Sequence, residues 1–354
     1  MPAWPVRTTA QPLTAAGRPE RHLMNMPNDP APMESAEFEA QRLMAEHPPV
    51  LRDRNKRVVF DVACPAGCTH ADKLAYTRWP AFALPAQCSP AGAMQRVSVS
   101  QGIYDYSPAT GVAGAVEWHV NFADPNLFVA YGSGLFAQDE MQVAEHPALG
   151  ALKEALVARK WPAGTVEDRK PTPVLVRGVE RRCHVATDVN IAEGRPSGLY
   201  GNAFMAAPAD AVRRATRRVE PPTITNLIAM AAPVGGVGRY GSGEIALILT
   251  TAFSGFRTAV LESGGAPAVV HTGYWGCGAF GGNRVLMSLL QALAAELAGV
   301  ERLVFHTITA GGRGAIDQTT ERARNALPAN AVDTSRLVER VAGMGLRWGV
   351  SDGH

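Results

Sequence analysis

The chain has 354 residues, enough for one large domain or two small ones, and its hydrophobic content of 46% is ordinary for a globular protein. A formal net charge of +2 argues against a broad nucleic-acid-binding surface, where clustered positive charge is expected. We find no apolar run near the roughly 18 residues that span a bilayer, and no apolar segment typical of a signal peptide. Five unevenly spread cysteines do not indicate a disulfide framework. We therefore expect a cytoplasmic protein with no membrane partner and no direct nucleic-acid partner.

Along the chain, residues 1–50 are rich in Pro, Ala and Met and predict a mostly disordered tail, with one short helix possible at residues 33–44. Residues 51–354 are predicted to form a single domain in which strands and helices alternate. The predicted strands are residues 57–62, 115–123, 174–179, 183–189, 245–250, 268–272 and 303–307. The predicted helices are residues 147–158, 209–219 and 286–297. Residues 268–307 then read as a strand, helix and parallel strand.

The most informative segment is residues 271–283, which read HTGYWGCGAFGGN. An apolar strand pattern precedes this segment and an amphipathic helix pattern follows it. Glycines let the backbone approach phosphate oxygens, and the free N–H groups at a helix start favour negative charge. The segment therefore predicts a site for a nucleotide-like diphosphate.

A second segment, residues 120–140, has a strand pattern, a Gly-Ser-Gly turn and then Gln138, Asp139 and Glu140. Two adjacent carboxylates could raise one another's pKa by repulsion and burial, which suits a general acid at neutral pH. The same residues could instead form a solvated first turn of a helix, where acidic side chains favour the dipole. From this segment alone, the solvated turn is the commoner case.

Taken together, the two segments resemble the poly(ADP-ribose) glycohydrolases, which are elaborated macrodomains. Residues 272–283 resemble the phosphate loop of that family, residues 120–124 resemble the run that opens its catalytic loop, and residues 138–140 resemble its Gln-Glu-Glu signature. The resemblance covers about residues 114–310 and keeps the order of the two loops. It implies an α/β fold of macrodomain type, with a mixed central sheet flanked by helices and an N-terminal extension.

The resemblance also implies roles for individual residues. Glu140 would be the general acid that protonates the leaving oxygen of a ribosyl glycosidic bond, and Asp139 would hold ribose hydroxyls. The remaining substrate-binding candidates are Gln138, Asp124, Gly134, Thr272, Tyr274, Gly276, Cys277, Gly278, Ala279 and Phe280. The implied partner is an ADP-ribose-containing substrate, and we expect no cofactor and no metal in the chemistry.

The sequence departs from the family pattern in three places. Residues 128–131, Phe-Val-Ala-Tyr, stand where the family has three consecutive glycines, and only Gly132 and Gly134 remain nearby. Asp139 replaces a glutamate and Asp124 an asparagine. The substrate could therefore be poly(ADP-ribose), an ADP-ribosylated protein or a small conjugate. The alternative function is a non-catalytic ADP-ribose reader, which the altered glycines favour and the retained Glu140 opposes.

Other candidates carry weaker signals. Cys64, Cys68 and His70 form a Cys-x3-Cys-x-His cluster, but zinc ligands usually have tighter pairs, so ordinary buried side chains are favoured over a metal site. A structural role is also favoured for Cys277. Residues 235–243 are glycine-rich but precede a predicted strand, which is the wrong order for a dinucleotide site, so a mobile loop near the site is expected. Tyr240 or Phe253 could stack on an adenine.

Overall fold

The structure is a computed structural model that describes residues 29–71, 73–109, 111–308 and 310–351. Its strands are β1 (Glu34–Glu39), β2 (Lys73–Arg78), β3 (Gln87–Cys88), β4 (Val97–Gln101), β5 (Val116–Ala123), β6 (Val166–Glu167), β7 (Lys170–Pro171), β8 (Val174–Val185), β9 (Thr216–Ala231), β10 (Ala268–Thr272), β11 (Arg302–Thr307) and β12 (Val332–Asp333). Its α-helices are α1 (Ala40–Glu46), α2 (Arg54–Ala63), α3 (Gln138–Glu145), α4 (Ala148–Ala158), α5 (Ala203–Ala206), α6 (Ala209–Ala215), α7 (Ser242–Glu262), α8 (Arg284–Ala298), α9 (Ala310–Ala326) and α10 (Thr334–Gly343). A 3-10 helix spans Pro90–Arg96.

Eight strands form one mixed sheet in the order β1-β2-β8-β9-β5-β10-β11-β4. The half from β9 to β4 is parallel, and the half from β1 to β9 is antiparallel. The carboxyl ends of β4, β5, β9, β10 and β11 therefore meet at one edge of the sheet. That edge is where ligands bind in open α/β sheets.

Hydrophobic cores cover both faces of this sheet. Along β9, Ile228 and Met230 belong to one core and Leu227 and Ala229 to the other, as the two-residue period of a strand requires. Helices α7, α8 and α10 pack in the first core, and α2, α3, α4 and α6 in the second. The predicted mixed sheet flanked by helices is confirmed.

Several local predictions agree with the structure. Helices α4 and α8 and strands β5, β10 and β11 lie where the sequence pattern placed them, and β10 and β11 are parallel neighbours. The two strands predicted within residues 174–189 are one long strand, β8, with shifts in its pairing to β9. The helix predicted at 209–219 ends at Ala215, because the chain then enters β9.

The strand predicted at residues 57–62 is wrong, because these residues lie in helix α2. Asp53 caps this helix: its Oδ1 accepts the backbone N–H groups of Asn55 at 2.8 Å and Lys56 at 3.1 Å. Val59 and Phe60 are buried on the helix. A capping aspartate before a short apolar run is a helix start signal, and it outweighed the β-branched residues.

The strand predicted at residues 245–250 is also wrong, because it is part of the 21-residue helix α7. A continuous apolar run fits a buried helix as well as a buried strand. Among the described residues, α7 is the one helix long and apolar enough to cross a membrane, although no such segment was expected from the sequence. In the folded chain, 72% of its most apolar window is buried.

The predicted tail needs correction over its described part. Strand β1 pairs antiparallel with β2 at the edge of the main sheet, and Leu43 of α1 is buried in the second core. Residues 34–46 therefore belong to the folded unit, and the predicted boundary at residue 50 falls inside it. Residues 1–28 lie outside the described residues.

The cap of α2 gives a first prediction. Asp53→Ala removes the acceptor for two N–H groups and should lower the free energy of unfolding by about 1 kcal/mol. Asp61→Ala, an exposed position later in the same helix, is the matched control and should change it by less than about 0.5 kcal/mol. Urea unfolding of the two variants measures the difference, and equal effects would contradict the role of the cap.

Candidate active site

A cleft of about 540 Å³ lies at the carboxyl edge of the parallel strands. The cleft is lined by the residue that directly follows each of the five parallel strands. These residues are Gly102 after β4, Asp124 after β5, Ala232 after β9, Gly273 after β10 and Ile308 after β11. The volume is in the range of small-molecule sites in proteins. The topology of the sheet therefore places the cleft.

The two sequence segments meet in this cleft. From the acidic segment it is lined by Asp124, Gln138, Asp139 and Glu140. From the glycine-rich segment it is lined by Thr272, Tyr274, Gly276, Cys277, Gly278, Ala279 and Phe280. Gly134 is not among the lining residues, and a Cβ placed on it would lie 2.8 Å from the sulfur of Met205.

Gln138 fastens the start of helix α3 to strand β5. Its Oε1 accepts the N–H of Phe122 at 2.7 Å, and its Nε2 donates to the carbonyl of Val120 at 3.0 Å. The amide thus pairs with the β5 backbone as a neighbouring strand would. Gln138 is therefore a positioning residue for the acidic turn, since both ends of its amide are already bonded.

Asp139 and Glu140 are both buried, at 6% and 4% exposure. Asp139 Oδ1 accepts from Nδ2 of Asn121 at 3.0 Å, and Glu140 Oε2 accepts the N–H of Ala137 at 3.0 Å. Burial, together with the neighbouring Glu140 carboxylate, raises the pKa of Asp139 to about 8. The solvated-turn interpretation is wrong for this pair, because both side chains are buried, and the raised pKa of Asp139 favours its protonated form near neutral pH.

Lys56 of α2 is a buried cation that the sequence did not single out. Its ammonium donates to the carbonyl of Tyr131 at 2.9 Å and lies over the rings of Phe136 and Phe204. Burial lowers the pKa of Lys56 to about 8, although the charges of Glu140 and Asp139 oppose this. In turn, the Lys56 charge partly offsets the rise in the pKa of Asp139.

The glycine-rich loop is a compact turn between β10 and α8. Gly276 has φ +75°, and a Cβ there would lie 2.6 Å from the Cβ of Ala232, so only glycine fits. The loop closes through a bond from the N–H of Gly282 to the carbonyl of Gly276 at 2.8 Å. Asn283 then caps α8 by accepting the N–H groups of Val285 and Leu286.

The hydrogen bonds within this turn determine which of its backbone N–H groups can bind a ligand. The N–H of Cys277 donates to the carbonyl of Tyr274 at 3.0 Å, so the predicted use of that amide for a diphosphate conflicts with its bond in the loop. Among the described contacts, the N–H groups of Gly276, Gly278, Ala279 and Phe280 have no bonded acceptor. Because α8 is already capped by Asn283, the anion-binding groups belong to the loop and not to the helix start.

The thiol of Cys277 is poorly suited to act as a nucleophile. Its burial raises its pKa to about 12, so the reactive thiolate is scarce at neutral pH. The sulfur contacts the carbonyl of Trp275, and the Trp275 indole donates to the carbonyl of Met230 at 2.9 Å. These contacts agree with the structural role expected for Cys277.

Residues 128–131, which replace the glycine run, pack away from the cleft. Phe128 and Tyr131 are buried in the second core, and the Tyr131 hydroxyl donates to Glu154 at 2.6 Å. Phe128 has φ +52°, a left-handed backbone that glycine adopts most easily. The chain therefore keeps a glycine-like turn there, while the bulky side chains stabilise the core.

An aromatic wall of the cleft was not predicted from the sequence. It is formed by Tyr104 and Tyr106, whose rings are in edge contact with centroids 5.9 Å apart. The guanidinium of Arg181 lies 4.4 Å from the centre of the Tyr106 ring and is paired with Glu145 at 2.9 Å. Isolated tyrosines before a poorly patterned stretch give no signal in the sequence, and only the fold brings them to the site.

Buried imidazoles adjoin this wall. His119 stacks on His271 with centroids 4.3 Å apart, and Nδ1 of His271 lies 3.0 Å from Nε2 of His306, which lines the cleft. Burial lowers the pKa of His306 to about 4 and that of His119 well below its ordinary value. These two imidazoles are therefore neutral near pH 7 and extend the aromatic surface.

Arg284 adds a positive charge to the cleft beside the glycine-rich loop. It is the first residue of α8, it is exposed, and its guanidinium lies 5.1 Å from the centre of the Tyr274 ring. Arg284 was not predicted, because the residues that follow the loop show a hydrophobic pattern that marks a helix and draws no attention to its first charged residue. Its position beside amides without acceptors suits an anionic ligand.

Two weaker sequence candidates lie elsewhere. Tyr240 stacks on Trp348 with centroids 4.1 Å apart, and Phe253 is fully buried in the first core, so neither ring lines the cleft. The glycine-rich residues 235–243 lead directly into helix α7 and contact the C-terminal segment, where the N–H of Trp348 donates to the carbonyl of Gly238.

One known protein family matches the part of the chain that contains the glycine-rich loop. Residues 200–312 match the family model described as poly(ADP-ribose) glycohydrolase, Macro domain fold. The resemblance of the sequence to this family is thereby confirmed for residues 200–312. The matched segment is about a third of the chain and contains the whole glycine-rich loop, whereas the acidic turn at residues 138–140 lies before it. The expected macrodomain-type fold is thereby confirmed.

Solved structures of this family are also found to be similar to the chain. The poly(ADP-ribose) glycohydrolase from Thermomonospora curvata is 16% identical with a TM-score of 0.42, covering 82% of this chain and 85% of its own. Its complex with the inhibitor ADP-HPD is 19% identical, covers 67% and 84%, and has a TM-score of 0.41. The enzyme from Deinococcus radiodurans in complex with ADP-ribose is 14% identical, covers 68% and 91%, and has a TM-score of 0.37. No curated protein matches the chain.

The buried Asp139 predicts a pH-dependent stability. The folded state holds this proton up to about pH 8, whereas the unfolded chain releases it near pH 3.8. The free energy of unfolding that Asp139 contributes is therefore fully present at low pH and lost as the pH rises through this window, by up to about 1.4 kcal/mol per pH unit. Compared with wild type, Asp139→Asn should become progressively more stable between pH 5 and pH 8.

Urea unfolding at several pH values measures this difference. Asp61→Asn, at an exposed position, is the control and should differ from wild type by a constant amount across the same range. A constant difference for Asp139→Asn as well would show that its carboxyl titrates normally.

The geometry of the turn at Gly276 predicts that any substitution that adds a Cβ there destabilises the protein. Gly276→Ala places a methyl group 2.6 Å from Ala232 and forces a left-handed backbone on alanine, so it should lower the free energy of unfolding by about 1–3 kcal/mol. Gly243→Ala, where a Cβ has no atom within 4 Å, should be neutral or stabilising because alanine favours the helix. Thermal unfolding distinguishes the two, and matching melting temperatures would contradict the assigned geometry.

Proposed function

We propose that this chain is a hydrolase that cleaves an ADP-ribosyl O-glycosidic bond, with Glu140 as the general acid. The observation that carries the proposal is the convergence of the two turns. Two buried carboxyls from the start of α3 and the amides of the β10–α8 loop line one cleft of about 540 Å³. An acid and an anion cradle in one enclosure suit a substrate with a sugar beside a diphosphate.

The diphosphate would lie against the glycine-rich loop. Gly276, Gly278, Ala279 and Phe280 offer backbone N–H groups, and Arg284 adds a guanidinium at the cleft. Donors held by the backbone bind an anion with little loss of side-chain freedom. The aromatic wall of Tyr104 and Tyr106 would supply aromatic contacts for the nucleobase.

In the reaction, the Glu140 carboxyl would donate its proton to the oxygen that leaves C1'' of the ribose. The C1''–oxygen bond then breaks, with development of an oxocarbenium-like ribosyl cation. Water attacks C1'', and its released proton returns to Glu140. The products are a free hydroxyl on the leaving group and an ADP-ribose with a C1'' hydroxyl, and the acid is restored.

Asp139 would keep this acid supplied with a proton. Because two adjacent buried carboxylates cannot both ionise cheaply, their protons belong to the pair. A pKa of about 8 for Asp139 keeps at least one proton in the pair at neutral pH. The N–H of Ala137 fixes Glu140, and Asn121 fixes Asp139, so the two carboxyls have separate orientations and separate roles.

The substrate would be poly(ADP-ribose), an ADP-ribosylated protein or a small ADP-ribose conjugate. The alternative is a reader that binds ADP-ribose without cleaving it. The two functions differ in turnover and not in affinity, so calorimetry with ADP-ribose and a hydrolysis assay on each substrate class must be run on the same preparation. Binding without turnover on all three classes would favour the reader.

The roles of the two carboxyls give the decisive prediction. Glu140→Gln removes the proton donor and should lower turnover by about 10²–10⁴-fold, the usual contribution of general acid catalysis, while affinity for ADP-ribose changes little. Asp139→Asn keeps a neutral side chain of the same shape and should cost less turnover than Glu140→Gln. Single-turnover hydrolysis and calorimetry measure the two effects.

Each outcome has a clear meaning. If Asp139→Asn is the more damaging variant, the proton donor is Asp139 and the assignment is reversed. Glu154→Gln is a suitable control because Glu154 binds the hydroxyl of Tyr131 outside the cleft. Comparable turnover by Glu140→Gln and wild type would refute acid catalysis by Glu140.

A further inference from the structure

A second cluster of reactive side chains lies where helix α2 ends. Cys64 follows the last residue of α2, and Cys68 and His70 lie in the turn that leads towards β2. Their two sulfurs and one ring nitrogen all lie within 4.8 Å of one another. Nε2 of His70 is 3.9 Å from Sγ of Cys64 and 3.9 Å from Sγ of Cys68. The three side chains thus converge on one point.

These separations match one kind of metal site. Around a tetrahedral zinc ion with Zn–S near 2.3 Å and Zn–N near 2.0 Å, a sulfur and a nitrogen ligand lie about 3.6 Å apart. The observed 3.9 Å distances need a change of only a few tenths of an ångström. Soft thiolates with an imidazole favour zinc over hard cations such as magnesium or calcium.

The histidine is oriented as a ligand would be. Nδ1 of His70 lies 3.2 Å from Oε2 of Glu180, and both side chains are buried. This carboxylate holds the proton on Nδ1, which leaves the lone pair of Nε2 directed at the two sulfurs. A carboxylate behind a histidine ligand is the usual outer shell of protein zinc sites.

The outer shell is itself held in place. Glu180 accepts the N–H of Ala71 at 3.1 Å and pairs with Nε of Arg182 at 2.9 Å. The backbone N–H of His70 donates to Oε1 of Gln41 at 2.7 Å. The turn thus contacts α1 and strand β8 through bonds that position His70 and do not occupy its Nε2.

We propose that Cys64, Cys68 and His70 bind a zinc ion, with a water molecule as the fourth ligand. Binding converts both thiols to thiolates, so two protons are released as two Zn–S bonds and one Zn–N bond form. The ion fastens the end of α2 to β8 through Glu180. Helix α2 also carries Lys56, so the ion stabilises the element that places this cation near the acidic turn. This site is independent of the proposed reaction.

This proposal departs from the expectation of ordinary buried side chains. That expectation rested on spacing, because a Cys-x3-Cys-x-His pattern lacks the tight pairs of common zinc motifs. Spacing along the chain cannot show that a helix end followed by a turn brings residues 64 and 68 together. It also cannot show Glu180, which comes from a strand 110 positions from His70.

The test is metal content and affinity in the full chain. Protein purified without chelator should contain one zinc per chain by elemental analysis, and metal-free protein should take up one equivalent of ZnCl₂ in a calorimeter with proton release. Cobalt(II) bound at the same site should give a thiolate-to-cobalt charge-transfer band. Cys64→Ser and Cys68→Ser should lose the band and the stoichiometric metal.

Two further variants keep the test independent of folding. Cys88→Ala removes a buried thiol outside the cluster and should retain one zinc. Glu180→Gln leaves all three ligands in place and should weaken zinc binding about 10–100-fold, the usual effect of an altered outer shell. The folding of each variant is checked by circular dichroism.

Several results would overturn the proposal. These are less than a tenth of an equivalent of metal after reconstitution, a Cys64–Cys68 disulfide in protein prepared without oxygen, or retention of the cobalt band in Cys64→Ser. Loss of zinc from Cys88→Ala with its fold intact would also contradict it, because the metal would then lie elsewhere.

Discussion

Burial of two adjacent carboxyls at the start of helix α3 is the constraint on which the site depends. An ionised carboxylate is costly to bury, and a second one beside it raises the cost. The structure offsets this through the Asn121 amide on Asp139, the Ala137 N–H on Glu140, the Lys56 ammonium and a proton retained on Asp139. Strand β5 supplies Asn121, helix α2 supplies Lys56, and Gln138 fixes the turn to β5. A change in any of these elements would therefore alter the protonation of the pair before it altered the overall fold.

The sheet topology explains why such distant segments cooperate. Strands β4, β9, β5, β10 and β11 end at the same edge, so residues from positions 102 to 308 reach one cleft. The glycine-rich loop directly follows β10, and the acidic turn at the start of α3 is bonded through Gln138 to the neighbouring strand β5. Their proximity thus depends on the backbone pairing of β5 with β10 and on the two bonds from the Gln138 amide to β5. A fixed spacing between acid and anion cradle is what a glycosidase for a diphosphate sugar needs.

Features that depend on residues close together in the sequence could be predicted, whereas features that depend on tertiary packing could not. The glycine-rich loop could be predicted because Gly276 is required by its own φ and by the nearby Ala232, and because β10 and α8 flank it directly. The acidic turn could be located as well, but its burial could not, since Lys56 and Asn121 reach it through tertiary packing. Helices α2 and α7 were predicted as strands because apolar runs fit either a strand or a helix, and for α2 the capping contacts of Asp53 decide between them. Tyr106 was missed because nothing in its neighbours marks it, and Arg284 was missed because residues 286–297 were read only for their hydrophobic pattern.

Residues 128–131, which stand where the family has consecutive glycines, do not line the cleft. Phe128 and Tyr131 point instead into the second core. The left-handed backbone at Phe128 keeps a turn that glycine makes easily, while the ring contributes burial that glycine cannot. Tyr131 also ties this turn to Lys56 through its carbonyl and to Glu154 through its hydroxyl. The turn at residues 128–131 is thus braced against the second core. Because this turn lies outside the lining of the cleft, a ligand would contact the acidic turn and the glycine-rich loop and not the residues that replace the glycine run.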